Sequence, residues 1–91
     1  MHKQIVCTKK FVKAKKRLSR SLQRALEAKI ILLKGNRAHP SLNVHRALRA
    51  REANMWICYV DASSRLLYSI KEDGIYLHDV GPHGIVDHLH I

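Results

Sequence analysis

Ninety-one residues make one domain, with no room for a second domain or a nucleotide-binding α/β unit. The 46% apolar share, 26% charged share and few Gly and Pro exclude a disordered or collagen-like chain. Seventeen Lys plus Arg against seven Asp plus Glu leave a net charge of +10, which favours a polyanionic partner, nucleic acid before membrane.

Gln4-Ile5-Val6-Cys7 is short, β-branched and apolar, and reads as a first strand. Thr8 follows as an N-cap for a basic helix reaching Leu18 or Ser19, with Phe11, Val12 and Leu18 on its apolar face. Ser19 or Ser21 restarts the chain as a second helix. Leu22, Ala25, Leu26, Ile30 and Leu33 follow at three- and four-residue steps, and Gly35-Asn36 is the stop signal. With so short a joint the two helices form a hairpin.

Beyond the loop around His39-Pro40 the period changes to that of strands. Val44–Leu48 reads as a short strand and Met55–Val60 as a longer one. Asp61-Ala62-Ser63-Ser64 turns the chain into Arg65–Ile70, and Glu72-Asp73-Gly74 turns it into Ile75–Val80. The order β-α-α-β-β-β-β predicts an α+β domain with two N-terminal helices packed on a twisted antiparallel sheet. Residues 84–90 read equally as a final strand or a short helix.

The charge is split along the chain. Residues 1–51 carry fifteen basic side chains and one acid, Glu27, whereas residues 52–91 carry two basic and six acidic ones. Provided the halves do not interleave in space, the molecule is electrostatically two-faced. Lys9, Lys10, Lys13, Lys16, Arg17 and Arg20 form a helical block with no acid among them. Like charges repel at i,i+4 spacing, and phosphate is the obvious compensating partner. Cys7 and Cys58 lie in apolar runs and read as buried thiols of a cytoplasmic protein. No apolar run is long enough for a signal-peptide core or a membrane span. There is no phosphate-loop, dinucleotide-binding or CxxC motif, so nucleotide chemistry and a zinc ribbon are not expected.

Two groups of side chains suit chemistry. Of the seven histidines, His39, His45, His83, His88 and His90 flank the sheet, and His83 lies in Gly81-Pro82-His83-Gly84 at a strand end, where an imidazole can move protons. A zinc site at His83, His88 and His90 matches no established ligand spacing. Arg65 alternates with Leu67 and Ser69 on one strand face. A guanidinium entering an apolar sheet is either ion-paired, with Glu52 or Asp61, or held for a phosphate.

Three stretches together resemble the RelE/ParE superfamily of toxin–antitoxin toxins, on its RelE and YafQ side. Ile5–Ala14 is similar to the family's strand and [ST]-x-x-F helix start. His39-Pro40-Ser41-Leu42 through Arg49 resembles its HPSL and HxLK-like entry to the sheet. Arg65–Ile70 and Ile75–His83 resemble its R-[VIL]-[IV]-Y-x-[IV] and [LIV]-x-x-[VI]-G-x-H strands. The resemblance covers nearly the whole chain in order. It implies a microbial-ribonuclease-type fold and a metal-independent, cofactor-free mRNA endonuclease, ribosome-dependent in its action, that inhibits translation. The partners implied are mRNA, the ribosome and a cognate antitoxin, with the toxin a monomer alone or part of a toxin–antitoxin hetero-oligomer.

Carried over by position, Arg65 is the phosphate-stabilising arginine and His83 the proton-transfer residue. His45, or alternatively His39, falls at a histidine base, and Arg49 supports the phosphate. The basic block and Arg46 would contact RNA. Members often continue to an aromatic that stacks on a base; here Asp87-His88 occupies that slot, and His88 can stack or act as an acid. The readings set against this one are a ParE-like gyrase-inhibiting toxin without nuclease activity and a basic RNA- or DNA-binding module.

Overall fold

The computed structural model describes residues 4–35, 40–46 and 55–82, with Ser41 and His45 described by backbone alone. The chain enters through strand β1 (Gln4–Cys7), helix α1 (Lys9–Lys16) and helix α2 (Arg20–Gly35). A 3₁₀ turn (Pro40–Leu42) and a two-residue strand β2 (His45–Arg46) follow. Strands β3 (Met55–Tyr59), β4 (Ser64–Lys71) and β5 (Gly74–Pro82) complete the sheet. No helix among these residues is long and apolar enough to cross a membrane.

Local chemistry sets the first boundaries. The Thr8 hydroxyl oxygen accepts the Phe11 N–H at 3.2 Å, as an N-cap does, and the same hydroxyl donates to the Leu77 carbonyl at 2.9 Å. One side chain thus starts α1 and ties it to β5. The absence of acids from the first turn is matched by Lys13, Lys15 and Lys16 in the last, where cations suit the helix dipole. Ser19, rather than Ser21, caps α2 by accepting the Leu22 N–H at 3.2 Å. The Gln23 amide donates to the carbonyls of Lys15 and Leu18, both at 3.1 Å, which satisfies acceptors orphaned at the end of α1.

The sheet order is β1-β5-β4-β3-β2. Strands β2 to β5 form the expected antiparallel meander, and β1 inserts at the far edge parallel to β5, pairing Gln4–Cys7 with Gly74–Leu77. That parallel pairing departs from a wholly antiparallel sheet. After the two helices β2 runs opposite to β1, and the three antiparallel pairings of the meander then bring β5 parallel to β1. The pairing also brings the basic half of the chain against the acidic half, so the two do interleave, and Lys10 Nζ lies 3.4 Å from Asp79 Oδ2.

The core lies between the helices and one sheet face, where Phe11, Leu26 and Leu33 meet Cys58, Leu66, Tyr68, Ile75 and Leu77. Burying each large apolar side chain contributes about 1.5–3 kcal/mol. Two expectations fail at this layer. Val12 is 40% exposed, because a 100° helical step carries it off the Phe11–Ala14–Leu18 stripe. Cys7 is exposed at the end of an edge strand, whereas Cys58 is buried and its thiol is pushed up to about 12 by burial, with Lys29 acting weakly in the other direction. Cys58 is therefore an inert packing group.

Candidate functional site

The sheet face away from α1 and α2 is set by β4. Leu66 and Tyr68 enter the helix-facing core, so Arg65, Leu67 and Ser69 take the opposite side, as strand alternation demands. Arg65 is 9% exposed, and its fixation is unusual for a buried cation. Its Nη1 donates to three backbone carbonyls, of Asp61 at 3.0 Å, Ser64 at 3.1 Å and Ala62 at 3.3 Å. The guanidinium carbon lies 3.5 Å from the centre of the Tyr59 ring, the residue paired with it across β3. Stacking of this kind contributes about 0.5–2 kcal/mol, more where water is excluded.

The choice between an ion pair and a functional arginine turns on the Asp61 carboxylate, which does not reach Arg65. Its Oδ1 accepts the N–H groups of Ser63 at 2.9 Å and Ser64 at 2.7 Å, closing the β3–β4 turn. Glu52 lies outside the described residues. Among the described residues no carboxylate pairs with Arg65, and no acceptor is bonded to its Nε or Nη2. The turn thus holds one nitrogen of the fork by neutral acceptors, and among the described residues no carboxylate neutralises the charge. A phosphate is the natural complement to such a fork.

The backbone N–H of Ser63 is the main cause, ahead of Ser64, of an Asp61 carboxyl held below the usual carboxylate range. A depressed carboxyl stabilises the fold above its unfolded value of about 3.9, and the contribution is lost as pH falls through the lower folded value. Asp61→Ala is therefore expected to melt below wild type at pH 7, with the gap closing as pH falls below the ordinary carboxylate range. Thermal melts across that range check this, and a gap independent of pH would exclude the carboxylate as the turn's clasp.

A second polar element on this face has a weak sequence signal. Ser69 Oγ and His78 Nε2 lie 2.7 Å apart, with Ser69 2% exposed. Ser69 was legible from its alternation with Arg65. His78 was not, because a register shift opposite Leu67 and Tyr68 leaves it as the extra residue of a β-bulge. Bulges re-aim side chains, and strand periodicity does not reveal them.

The remaining expected site residues divide by position. His83, Arg49 and His88, with the alternative His39, lie outside the described residues. The His45 backbone pairs with Ile57, which pairs with Leu67 of β4, two rows of the sheet from Arg65. Arg46 is exposed on the edge strand, its guanidinium 5.8 Å from the centre of the Trp56 ring. Lys9, Lys10, Lys13 and Lys16 on α1, Arg17 at its C-cap and Arg20 at the start of α2 are all exposed. Of these, Lys10 is ion-paired with Asp79; the other described pair, Lys15 with Glu27, falls outside the set.

Lys10, Lys13 and Arg17 of this set, with the end of the sheet, line a groove of about 760 Å³. One wall is the α1–α2 connection, with Lys13, Arg17, Leu18 and Leu22; the other is Ser64 of β4 and the end of β5. Ser64 is shared by both features, since its carbonyl also accepts from Arg65.

No family model and no curated protein sequence matches the chain. Solved structures do match. A chain of the E. coli DinJ–YafQ toxin–antitoxin complex has a TM-score of 0.77 at 16% identity, over 93% of this chain and 97% of that one. The archaeal RelE–RelB complex from Pyrococcus horikoshii has a chain matching with a TM-score of 0.70 at 20% identity, over 92% and 98%. The YoeB dimer from Staphylococcus aureus matches with a TM-score of 0.71 at 11% identity, over 91% and 99%. At these identities the likeness establishes the fold, over nearly the full length of each partner.

Proposed function

We propose that this chain, whose fold is that of the YafQ, RelE and YoeB toxins, is the toxin of a toxin–antitoxin pair and acts as a metal-independent mRNA endonuclease in the cytoplasm. The observation that carries the reading is Arg65. Among the described residues it is held by neutral carbonyls and an aromatic ring and by no acid, on the sheet face away from α1 and α2. A positive charge so placed stabilises a phosphate that gains charge during cleavage.

The chemistry needs few parts. The 2′-hydroxyl of RNA gives up its proton to a base and attacks the adjacent phosphorus. The bond to the 5′ oxygen breaks, and that oxygen takes a proton from an acid, leaving a cyclic phosphate and a 5′-hydroxyl. His83 is the proposed proton-transfer residue, with His45 as a second and His88 as a further acid or stacking group. Arg49 assists Arg65 at the phosphate. The exposed cations of α1 and the start of α2, with Arg46, supply affinity for mRNA and the ribosome without sequence preference.

Induction of the wild-type protein is expected to arrest growth and to produce new mRNA ends within translated regions, whereas His83→Ala produces about 10²–10⁴-fold less cleavage. Mapping RNA ends on translating ribosomes checks both. Intact mRNA under wild-type induction, with trapped gyrase–DNA complexes instead, would replace the nuclease reading by gyrase inhibition.

A further inference from the structure

Tyr59 and Arg65 are direct partners across β3 and β4. Cys58 and Val60, on either side of Tyr59, enter the helix-facing core, so strand alternation puts the Tyr59 ring on the face of Arg65. The ring is half-buried, and the guanidinium carbon stands 3.5 Å from its centre. The turn between the two residues is fixed as well. The Val60 N–H donates to the Ser64 carbonyl at 2.9 Å, and Asp61 Oδ1 accepts from the N–H groups of Ser63 and Ser64.

The hydrogen bonds of Arg65 do not by themselves orient its fork. All three carbonyl acceptors, of Asp61, Ala62 and Ser64, take the same nitrogen, Nη1. A planar group tethered at one nitrogen can still swing about that point, carrying Nε and Nη2 with it. An aromatic ring against the guanidinium removes that freedom. A carboxylate in the place of the ring would also fix the fork, but it would compete with a phosphate for the same donors. The ring attracts the cation through its quadrupole and leaves the charge in place. Donors already oriented stabilise a transition state best, because nothing is then lost to reorganisation.

We infer that Tyr59 is a positioning residue of the phosphate site. Its ring sets the plane of the Arg65 guanidinium, so that Nε and Nη2 meet a phosphoryl group together while the charge is kept. Tyr59 touches no reacting atom in this arrangement and acts only through Arg65. The inference rests on the reading of Arg65 as the phosphate-stabilising group. No local sequence pattern announces it, since the two residues lie on different strands and only the register of the β3–β4 hairpin stacks them.

The test removes the ring and keeps the strand. Tyr59→Ile, with Tyr59→Leu as a second ringless variant should the first melt early, is compared with Tyr59→Phe in the wild-type and Arg65→Lys backgrounds. In single-turnover cleavage of mRNA the ringless variant is expected to lower the rate at saturating RNA by about 10–10²-fold, the scale of a misplaced catalytic group. The RNA concentration for half-maximal rate should stay within about threefold of wild type, because affinity comes from the exposed cations. Tyr59→Phe is expected to restore the rate. In the Arg65→Lys background there is no plane to set, and loss of the ring should slow cleavage by less than about threefold more. In RNA-free protein, the Arg65 Nε–H resonance should carry a ring-current shift that Tyr59→Phe keeps and Tyr59→Ile loses. Inorganic phosphate should move that resonance and bind the ringless variant at least about tenfold more weakly. A ringless variant that cleaves at the wild-type rate, loses only RNA affinity, slows by the same factor beside Arg65→Lys, or leaves the Arg65 resonance in place overturns the inference. So does a Tyr59→Phe protein as slow as Tyr59→Ile. If the wild-type protein leaves RNA whole, the nuclease reading falls alone, and the resonance and the phosphate affinity still decide the role of Tyr59.

Discussion

Arg65→Lys protein is expected to fold and to cleave RNA about 10²–10³-fold more slowly than wild type, the scale on which loss of one oriented transition-state donor acts. Lysine keeps the charge and can still donate to the Asp61, Ala62 and Ser64 carbonyls that Nη1 now serves. It lacks the second arm of the planar fork, which is the part proposed to meet a phosphate. Arg65→Ala is a poorer probe. It would take the guanidinium from the Asp61, Ala62 and Ser64 carbonyls of the β3–β4 turn and uncover Tyr59, so that a loss of cleavage would mix the lost charge with a loosened turn. Single-turnover cleavage of mRNA, read beside circular dichroism of each variant, separates the two effects. Wild-type cleavage by a folded Arg65→Lys protein would remove Arg65 from the reaction.

Gly74→Ala is expected to be the most destabilising single-methyl change in the sheet. A Cβ built at Gly74 falls 2.5 Å from the Gln4 carbonyl oxygen and 3.2 Å from the Gln4 carbonyl carbon, both backbone atoms of the paired strand. Neither can turn aside as a flexible side chain would, so β1 must lift from β5. Overpacking of this kind costs about 1–3 kcal/mol. In a domain of this size that lowers the melting temperature by on the order of 10 °C. Calorimetry checks the size, and hydrogen exchange checks the place: the amides of Ile5 to Cys7 should lose protection first. A melting temperature within about 1 °C of wild type would mean that β1 contributes nothing to cooperative stability. The tight turn expected at Glu72-Asp73-Gly74 forms, with Lys71 paired to Gly74 across Glu72 and Asp73. Gly74 itself has no positive φ, so glycine is needed there for the close approach of β1 rather than for the turn's backbone.

Much of the architecture was legible because it depends on neighbours in the chain. The Thr8 cap, the restart at Ser19, the strands from Met55, Arg65 and Ile75, and the shared face of Arg65, Leu67 and Ser69 all follow from hydrogen bonds or periodicities spanning a few residues. The ordered motifs also anticipated the toxin fold that solved structures share with this chain at identities no higher than 20% among those compared. Ion pairing was less legible. Asp61 is four residues from Arg65 and looked like its partner, but its carboxylate is spent on the turn's own N–H groups, and only its carbonyl meets the guanidinium. His83, Arg49 and His88 stand on their sequence positions, outside the described residues.

By itself the sequence determined the net charge of +10, its concentration in the first 51 residues, the order of helices and strands, and the face of β4 on which Arg65 lies. Each is a property of composition or of the fixed periods of helix and strand. The tertiary structure alone decided that β1 joins β5 in parallel, that a bulge brings His78 to Ser69, and that a groove opens where β1 ends. Those features bring together residues as much as 70 positions apart, as Gln4 and Gly74 are. Such contacts depend on how one layer packs on another, and no local period encodes that.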